Sequence, residues 1–416
     1  MLNASETNEL ITYLRGRFPM KLTTNLELGK YFTFELSKQM PIHNWFYYKE
    51  GFAPQVVEWA IKQGVIGSWP VASGQMLIAN SQKLLLDPFC GCGTSMLTAK
   101  GAGLNAIGFD ISPIAVLASQ VKCENYDKNE IEGIRKFLDI SKLPEANFDW
   151  QFELFSPRAV FPRSNYNALL SLRQAIDTVE NGKIRNLLLL TLVSIIPQVG
   201  IFIKDGGVLR IDKRKHAMPT KEAFRRKLKN MIYDLEKHAV VGEVPEISQG
   251  DARAMQVADN SIDIIVTSPP YLNNVDYTKV YGLELSLMFL DKSITKQIRG
   301  ESVRSFITSN VPPDSVPPEI GDAGIKVPVI GNYFSDLEKT LIEIKRVLKT
   351  GSACYLIIGN SVVYGLQIFV DELLAEMAER LGMQTEIIVG AERVADVKPR
   401  RVKIRESIVV IRKTGL

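Results

Sequence analysis

The sequence contains few of the residues that build metal sites. Its 416 residues include only four cysteines and three histidines. Cys90 and Cys92 are separated by a single residue and the histidines are scattered, so no spacing typical of zinc occurs. The low cysteine count fits a reducing compartment. We therefore expect no bound metal, and we interpret the cysteines as small buried apolar side chains.

The sequence also lacks a comfortable membrane span and a secretory signal. Its longest apolar run, residues 187–203, is interrupted by Thr191, Pro197 and Gln198, and it is short for a bilayer-crossing helix. No basic, apolar, small-residue signal pattern starts at Met1. We interpret the run as a buried helix and expect a cytoplasmic protein with no membrane partner.

The net charge of +4 is distributed unevenly. Residues 204–238 hold 11 Lys or Arg against 5 Asp or Glu, and residues 398–413 hold 7 against 1. Each segment therefore carries +6, so the remainder of the chain is acidic. Such clusters suit contacts with nucleic-acid phosphates, although they would also suit a solvated helical face. The candidate phosphate contacts are Lys213, Arg214, Lys215, Arg225 and Arg226.

A loop after a buried strand carries the strongest chemical signal. Residues 262–266 form a short apolar run rich in β-branched side chains, which predicts a buried parallel strand. Ser268-Pro269-Pro270-Tyr271 follows this run after one residue. Active sites of open α/β sheets lie at the carboxyl ends of their strands. These four residues are therefore the predicted catalytic loop.

The residue types in this loop suit methyl transfer to an exocyclic amine of a nucleobase. Such an amine is a poor nucleophile because its lone pair is delocalised into the ring, and acceptors at its two N–H groups localise that pair. The Ser268 hydroxyl and the Pro269 carbonyl can be those acceptors, while Pro270 stiffens the loop. Tyr271 offers a flat face to a base extruded from a duplex. Taken alone, the same residues would also suit a rigid turn packed over one aromatic ring.

A second motif predicts a nucleoside cofactor. A predicted buried strand runs into residues 87–94, a glycine turn that precedes a helix. Gly91 and Gly93 let a ligand approach the backbone closely, and Thr94 can cap the helix. Asp110 ends the next predicted strand, where an acid accepts from both ribose hydroxyls of such a cofactor.

The details of this turn argue against a dinucleotide. A nicotinamide-binding turn has glycine three residues after its second glycine, but Met96 holds that place after Gly93. Asp87, just before the turn, would repel a pyrophosphate. The unit therefore suits a nucleoside that carries no phosphates.

Together the motifs resemble those of the class I S-adenosylmethionine-dependent amino-methyltransferases that modify DNA. Residues 87–94 match the cofactor turn of that family, Asp110 its ribose acid, Gly250-Asp251 its adenine-side loop and residues 268–271 its catalytic loop. The resemblance implies a Rossmann-like α/β fold with a mostly parallel seven-stranded sheet, S-adenosylmethionine as methyl donor and no metal. The cofactor contacts it implies are Asp87, Phe89, Gly91, Gly93, Thr94, Asp110 and Asp251, with Asp87 orienting the cofactor ammonium. Residues 44–52 also resemble the segment that packs beside the cofactor's methionine end.

The serine at the head of the loop indicates the target base. Ser268 resembles the cytosine-N4 branch, whereas Asp or Asn at this position is commoner in adenine-N6 enzymes. Cytosine-C5 enzymes use a cysteine nucleophile preceded by proline, and the sequence contains no Pro-Cys dipeptide. The resemblance thus implies a site-specific methyltransferase of double-stranded DNA that flips a cytosine and methylates N4 by direct transfer. It would be an orphan enzyme or the partner of a cognate restriction endonuclease.

The order of the motifs predicts a divided catalytic domain with an insertion. Residues 1–123 would hold the N-terminal segment and the cofactor half, and residues 244–416 the catalytic half. Residues 124–243 read as a helical insertion and are the candidate target-recognition region, although this region more often follows the adenine-side loop. Residues 299–329, rich in proline and glycine, are predicted to be a loop that is mobile until DNA binds. Asn273 and Tyr277, just beyond the catalytic loop, are further candidate DNA contacts.

Three alternatives stay open at this point. An adenine-N6 DNA methyltransferase would share the fold and the mechanism. An RNA amino-methyltransferase would also share the fold, although no appended RNA-binding domain precedes the cofactor half. A non-catalytic DNA-binding subunit could retain the fold, although the catalytic loop is intact in the sequence.

Overall fold

A computed structural model of the protein describes residues 22–49, 51–66, 83–205, 208–272, 275–306, 313, 315–397 and 400–415. The strands in these ranges are β1 (Leu22–Thr24), β2 (Leu84–Asp87), β3 (Asn105–Asp110), β4 (Phe202–Asp205), β5 (Val208–Ile211), β6 (Glu246–Gln249), β7 (Ile262–Thr267), β8 (Leu348–Gly359), β9 (Ser361–Val363), β10 (Leu366–Ile368), β11 (Met383–Val397) and β12 (Arg400–Lys413). The helices are α1 (Pro54–Ile61), α2 (Thr94–Gly101), α3 (Pro113–Cys123), α4 (Lys128–Lys136), α5 (Arg163–Asp177), α6 (Gly182–Val199), α7 (Thr220–Lys237), α8 (Tyr277–Val280), α9 (Gly282–Phe289), α10 (Ile294–Glu301), α11 (Asp322–Lys326), α12 (Pro328–Val347) and α13 (Val370–Arg380).

The large sheet has the strand order β1-β11-β12-β8-β7-β2-β3-β6. Strands β8, β7, β2, β3 and β6 are parallel, and β12 runs antiparallel to both β8 and β11. The mostly parallel α/β sheet predicted from the sequence is therefore confirmed. The described sheet has one more strand than the seven expected, because the short β1 pairs in parallel with the outer edge of β11.

Both faces of the sheet are buried, which explains the continuous apolar character of its central strands. Successive side chains of a strand point to opposite faces, so Leu85 lies in one hydrophobic cluster and Leu86 in the other. The first cluster is covered by α1, α2, α3 and the inserted helices, and the second by α12 and α13. The strand order reverses at β2, since β3 and β6 extend to one side and β7 and β8 to the other. Ligand sites of such sheets lie at this switch point, outside the carboxyl ends of the strands.

The inserted helices are part of the main body of the protein. Helices α4 to α7 and the β4–β5 hairpin lie between α3 and β6, and they share a hydrophobic core with α3 and α9. Within the described chain, α6 alone is long and apolar enough to cross a membrane by length and composition, and half of its residues are buried inside the protein. Packing of α6 against α3, α5, α7 and α9 gives it the buried helical character expected for this run.

The segment predicted as a loop is partly helical. Residues 299–301 complete α10, and α11 and the start of α12 lie near its other end. Residues 307–312 and 314 lie outside the described residues, so the predicted mobility of the loop stays a prediction.

Candidate active site

A cavity opens at the carboxyl ends of β2, β3 and β7, with an empty volume of about 1090 Å³. Part of this volume is open to solvent. Nine residues predicted from the sequence line it: Phe89, Gly91, Thr94, Asp110, Asp251, Ser268, Pro269, Pro270 and Tyr277. The fold therefore brings the predicted cofactor turn, ribose acid, adenine-side loop and catalytic loop together around one space.

The glycine turn depends on two residues with left-handed backbone conformation. Gly91 has φ of 51° and Gly93 has φ of 83°, a region that favours glycine. A Cβ at Gly93 would lie 2.5 Å from the Ser119 hydroxyl oxygen and 2.8 Å from the Ser119 Cα. Gly93 thus lets the turn pack against α3, while Gly91 lines the cavity.

Asp110 is oriented by backbone amides at the cavity wall. Its Oδ2 accepts from the Gly91 amide at 2.9 Å, and its Oδ1 accepts from the Ser112 amide at 2.8 Å. Burial raises the pKa of this carboxyl to about 6, while the two amides oppose the rise. Each carboxylate oxygen has two lone pairs, so Asp110 keeps acceptor capacity for a pair of ribose hydroxyls.

Asp87 lies elsewhere than the resemblance implies. It is fully buried and is not among the residues that line the cavity. Its carboxylate accepts hydrogen bonds from the hydroxyls of Ser95 and Thr267 and from the Phe89 amide. Asp87 therefore does not face the cavity in the way needed to contact a cofactor ammonium. Burial raises the pKa of Asp87 to about 6. The carboxyl instead connects β2 with the end of β7, and so holds the glycine turn beside the catalytic loop.

Asp251 is fixed at the cavity by a two-point contact with an arginine. The Nε of Arg253 lies 2.9 Å from Asp251 Oδ1, and its Nη2 lies 2.8 Å from Oδ2. Arg253 also reaches the buried carboxylate of Asp336, with Nη1 at 3.2 Å from Oδ1, and donates to the Glu301 carbonyl. The adenine-side loop is therefore tied both to α12 and to the end of α10.

The catalytic loop is held at both of its ends. Thr267, just before it, donates to Asp87 at 2.6 Å. The Tyr333 hydroxyl donates to the Pro270 carbonyl at 2.9 Å, and burial raises the pKa of Tyr333, so it stays protonated. Ser268 and Pro269, between these anchors, face the cavity. The two predicted amine acceptors thus belong to a fixed stretch of backbone.

The Tyr271 ring does not occupy the stacking position predicted for it. Tyr271 is 8% exposed, belongs to the core beneath α12 and is absent from the cavity lining. Its ring lies so close to Gly359 that a Cβ there would be 2.9 Å from it. The prediction failed because the adjacent strand β8 ends in a residue without a side chain, and the apolar ring fills that space.

An aromatic stack that the sequence did not reveal as a unit lines the other side of the cavity. The Tyr48 ring lies parallel to that of Tyr281 at 5.2 Å and to that of Tyr277 at 6.1 Å. Tyr48 and Tyr277 both face the cavity, and the Tyr281 hydroxyl accepts from the Lys49 amide at 2.7 Å. The resemblance of residues 44–52 was the signal that could place Tyr48 here, whereas Tyr277 was predicted only as a DNA contact.

A second group missed by the sequence analysis covers the cavity. This group, here called the cover, is the end of α10 with the residues after it, and it lines the cavity with Ile298, Glu301, Ser302, Val303, Ser305 and Phe306. Arg304 anchors it, since its Nε and Nη2 lie 2.9 and 2.7 Å from the two oxygens of Asp336. The region carries no motif in the sequence, because its position depends on pairing with a helix 32 residues away.

Some of the predicted phosphate contacts are exposed, whereas others donate hydrogen bonds to backbone carbonyls of the protein. Lys215 donates to the carbonyls of Pro197 and Phe202, and burial lowers its pKa. Arg225 donates to the Leu138 carbonyl at 2.9 Å. The prediction for Lys215 is corrected, because its ammonium satisfies two backbone carbonyls within the fold. The phosphate contact of Arg225 stays a prediction, because the bond to Leu138 uses only one of the five guanidinium donors. Lys213, Arg214 and Arg226 are exposed, with Arg214 paired to Asp212, and Asn273 lies outside the described residues.

The cysteines are all buried with free thiols, as expected. Across the described ranges, no group of three or more His, Cys, Asp or Glu side chains is arranged to hold a metal ion.

Comparisons with known proteins identify relatives along most of the chain. The sequence is 27% identical over 426 aligned positions to the type II methyltransferase M.BsoBI of Geobacillus stearothermophilus, covering 85% of this chain and 81% of the relative. It is 23% identical to the type II methyltransferase M.AvaI of Nostoc sp. PCC 7120, covering 90% and 86%. No family model matches the sequence.

Among solved structures, a SAM-dependent methyltransferase from Methanosarcina mazei aligns with 81% of this chain and 96% of its own. Its sequence identity is 10% and its TM-score is 0.29, a superposition too loose to carry weight. The two long relatives and the four motifs around one cavity agree with one another. The chain is therefore similar over most of its length to type II DNA methyltransferases.

Proposed function

We propose that the protein methylates the exocyclic N4 amine of cytosine at specific sites in double-stranded DNA. The observation that carries the proposal is the position of Ser268 and Pro269 in the same cavity as Asp110 and the glycine turn. A target amine placed against the loop would meet the cofactor site directly. Type II methyltransferases among the relatives support DNA as the substrate.

The residues of the cavity fit S-adenosylmethionine. Asp110 offers acceptors for the ribose hydroxyls, Asp251 an acceptor for the adenine amine, and the turn at Gly91 open backbone for the amino-acid part. The Tyr48 ring adds an electron-rich face, which is attractive to a cation. When bound, S-adenosylmethionine supplies a methyl group activated by its positively charged sulfur.

The catalytic loop would act on the amine of a cytosine that has left the duplex. The Ser268 hydroxyl and the Pro269 carbonyl accept hydrogen bonds from the two amine hydrogens, which directs the nitrogen lone pair towards the cavity. Direct transfer would form the new N–C bond in one displacement while the bond between the methyl carbon and the donor sulfur breaks, so that the sulfur leaves as a neutral thioether. The amine would then release one proton to water. Because the loop is held by Asp87 and Tyr333, these acceptors are in place before the base arrives. Tyr277, whose ring faces the cavity, takes the base-stacking role that the sequence gave to Tyr271.

The choice of cytosine N4 rests on Ser268 at the head of the loop. The test is mass spectrometry of nucleosides from the DNA of cells that produce the wild-type protein, Ser268→Ala or Ser261→Ala. Ser261 lies just before β7, at the opposite end of the strand, and its hydroxyl donates to the Ala258 carbonyl. It is therefore a matched serine control remote from the chemistry.

We expect N4-methylcytosine with the wild type and Ser261→Ala, and a loss of about a hundredfold in Ser268→Ala because one fixed hydrogen-bond acceptor is removed. N6-methyladenine instead would keep the mechanism and contradict the base assignment. Methylated RNA with unmodified DNA would contradict the substrate. Full activity in Ser268→Ala would remove this residue from catalysis.

A further inference from the structure

The hairpin formed by β11 and β12 extends past the edge of the large sheet. Among the described residues, β8 pairs with β12 as far as Gly359↔Glu406, and β1 pairs with β11 at residues 387–389. Beyond these positions β11 and β12 continue to pair with each other through six further pairs, from Glu392↔Arg405 to Val397↔Arg400. At about 3.4 Å per residue, this two-stranded ribbon extends for about 20 Å. We call residues 391–397 and 400–405 the ribbon arm.

The ribbon arm leaves the sheet at the edge that carries the active site. Strand β8 is parallel to β7, so Gly359 lies at the same edge as the catalytic loop that follows Thr267. The contact between Gly359 and the Tyr271 ring shows this proximity directly. The arm therefore begins beside the catalytic loop and extends away from the sheet.

The charge of the arm differs from that of the rest of the chain. The arm contains five Lys or Arg and two Asp or Glu, a net charge of +3, which leaves only +1 for the rest of the chain. Arg401 is exposed, and the side chain of Lys403 is 80% exposed. The Lys403 ammonium lies 3.9 Å from the carboxylate of Glu392, which is also exposed, and such an exposed pair is too weak to neutralise Lys403 in water.

The base of the arm is rigid. Arg405 binds the buried carboxylate of Asp371 with Nε at 2.7 Å, and the Gln367 amide donates to the Lys403 carbonyl at 2.8 Å. A bulge lies between Val389 and Ala391 in β11, where Gly390 packs against the Phe32 ring with no room for a Cβ. Bulges bend a strand and increase its twist, so the direction of the arm is set by the fold.

The occupant that fits this shape and charge is double-stranded DNA. The B-form major groove is about 12 Å wide and admits a two-stranded β-ribbon, and phosphates on either side of the groove attract exposed cations. We propose that the ribbon arm enters the major groove beside the flipped cytosine, with Arg401 and Lys403 contacting the flanking phosphates. This proposal rests on the proposed function and names the DNA-contacting surface of the same site.

The test measures the salt dependence of binding to a mixed-sequence DNA duplex by fluorescence anisotropy. The variants are Arg401→Ala, Lys403→Ala and the double substitution. The matched control is Arg412→Ala, because Arg412 is exposed at the opposite end of the same strand. Cofactor affinity, measured by calorimetry, reports whether the fold and the cavity are intact in each variant.

We expect each arm substitution to lower the slope of log affinity against log salt by about one, and the double substitution by about two. Cofactor affinity should stay unchanged, and Arg412→Ala should retain the wild-type slope. A duplex of RNA, whose deep and narrow major groove excludes a ribbon, should show no dependence on the arm.

If the wild type binds and methylates duplex DNA and the double variant keeps the wild-type slope, the arm assignment is overturned. The proposed function is not affected by that result. Equal losses on RNA and DNA duplexes would overturn the groove assignment. A wild type that binds no duplex would overturn the proposed function as well.

Discussion

At the residue scale, the carboxyl groups of the buried Asp87 and the half-buried Asp110 have pKa values raised to about 6, because desolvation disfavours their charged forms. Only Asp110 faces the cavity. Its ionised form accepts hydrogen bonds, whereas its protonated form loses part of that capacity. The pH range around 6 should therefore control cofactor binding through a single side chain.

We expect the affinity for S-adenosylmethionine to be constant above this range and to weaken as the pH falls through about 6, because protonation of Asp110 removes an acceptor for the ribose. Asp110→Asn should weaken binding at neutral pH by about tenfold or more, as hydrogen bonds to charged groups contribute roughly 1.5–3 kcal/mol. It should also abolish the pH dependence. Isothermal titration calorimetry between about pH 5 and pH 8 measures both effects.

Asp87→Asn is the control for this titration, since Asp87 ionises in the same range without facing the ligand. If the pH dependence persists in Asp110→Asn and disappears in Asp87→Asn, the group that titrates is Asp87, and the role given to Asp110 is contradicted.

Residue types predicted the site better than they predicted side-chain direction. Ser268, Asp110 and Gly91 were located from the chemistry they suit, and all three face one cavity. Tyr271 and Lys215 were assigned from the same kind of argument, yet one fills the space above Gly359 and the other satisfies two carbonyls. The directions of these two side chains depend on residues that are distant in the sequence, so a local sequence pattern cannot predict them.

At the scale of secondary-structure elements, one buried carboxylate on α12 holds the cover in position. The buried Asp336 of α12 receives Arg304 from the cover and Arg253 from the adenine-side loop. Burial opposes ionisation of Asp336, but hydrogen bonds from Arg304 and the charge of Arg253 outweigh it and keep the pKa below its ordinary value. One carboxylate therefore holds two walls of the cavity.

Arg304→Ala should release the cover and weaken cofactor binding severalfold, with a smaller effect on the rate of the bound complex. Arg304→Lys should restore binding only in part, because an ammonium cannot make the two-point contact of a guanidinium. Calorimetry and single-turnover methylation separate binding from chemistry.

Arg380→Ala is the matched control for Arg304, because Arg380, at the end of α13, forms comparable ion pairs with Glu319 and with Glu338 of α12 without lining the cavity. Wild-type cofactor affinity in Arg304→Ala would show that the cover stays in place without this arginine.

Element types followed from local patterns, but element lengths did not. The apolar runs predicted β2 and β7, and residues 385–389 and 407–411 of the sequence predict a terminal antiparallel pair, which lies within β11 and β12. The extension of that pair into the ribbon arm was not predicted, since alternation gives way to a mixed charged sequence after Val389. Backbone pairing within a hairpin continues there without support from a buried face.

At the scale of the whole molecule, residues 42–46 connect the insertion with the cofactor half. The Asp234 carboxylate on α7 accepts from the Trp45 indole at 2.8 Å and from the Ile42 amide at 3.2 Å. Lys122 on α3 donates to the His43 carbonyl at 3.0 Å, and Lys227 on α7 donates to the Asn44 carbonyl at 3.1 Å. The insertion is therefore joined to the catalytic body through a shared buried polar cluster.

Trp45→Phe should lower the free energy of unfolding by about 1.5–3 kcal/mol, because the buried Asp234 loses a hydrogen bond to its charged group. Unfolding should remain a single transition, since the insertion shares its core with α3 and α9. Denaturant unfolding followed by circular dichroism measures both quantities.

Trp59→Phe is the control, because Trp59 makes an edge-on contact with Tyr355 rather than a hydrogen bond to a buried carboxylate. Two separate transitions in the wild type would mean that the insertion folds independently of the catalytic body.

The place of β12 in the sheet has a consequence for biosynthesis. This strand lies between β8 and β11, and β7 pairs with β2, about 180 residues earlier. Pairing between such distant segments is slow to form. A nascent chain can therefore assemble helices while it is translated, but its sheet stays open until the residues after 400 have left the ribosome. Until then, chaperones would have to protect the exposed edge of β8 from aggregation.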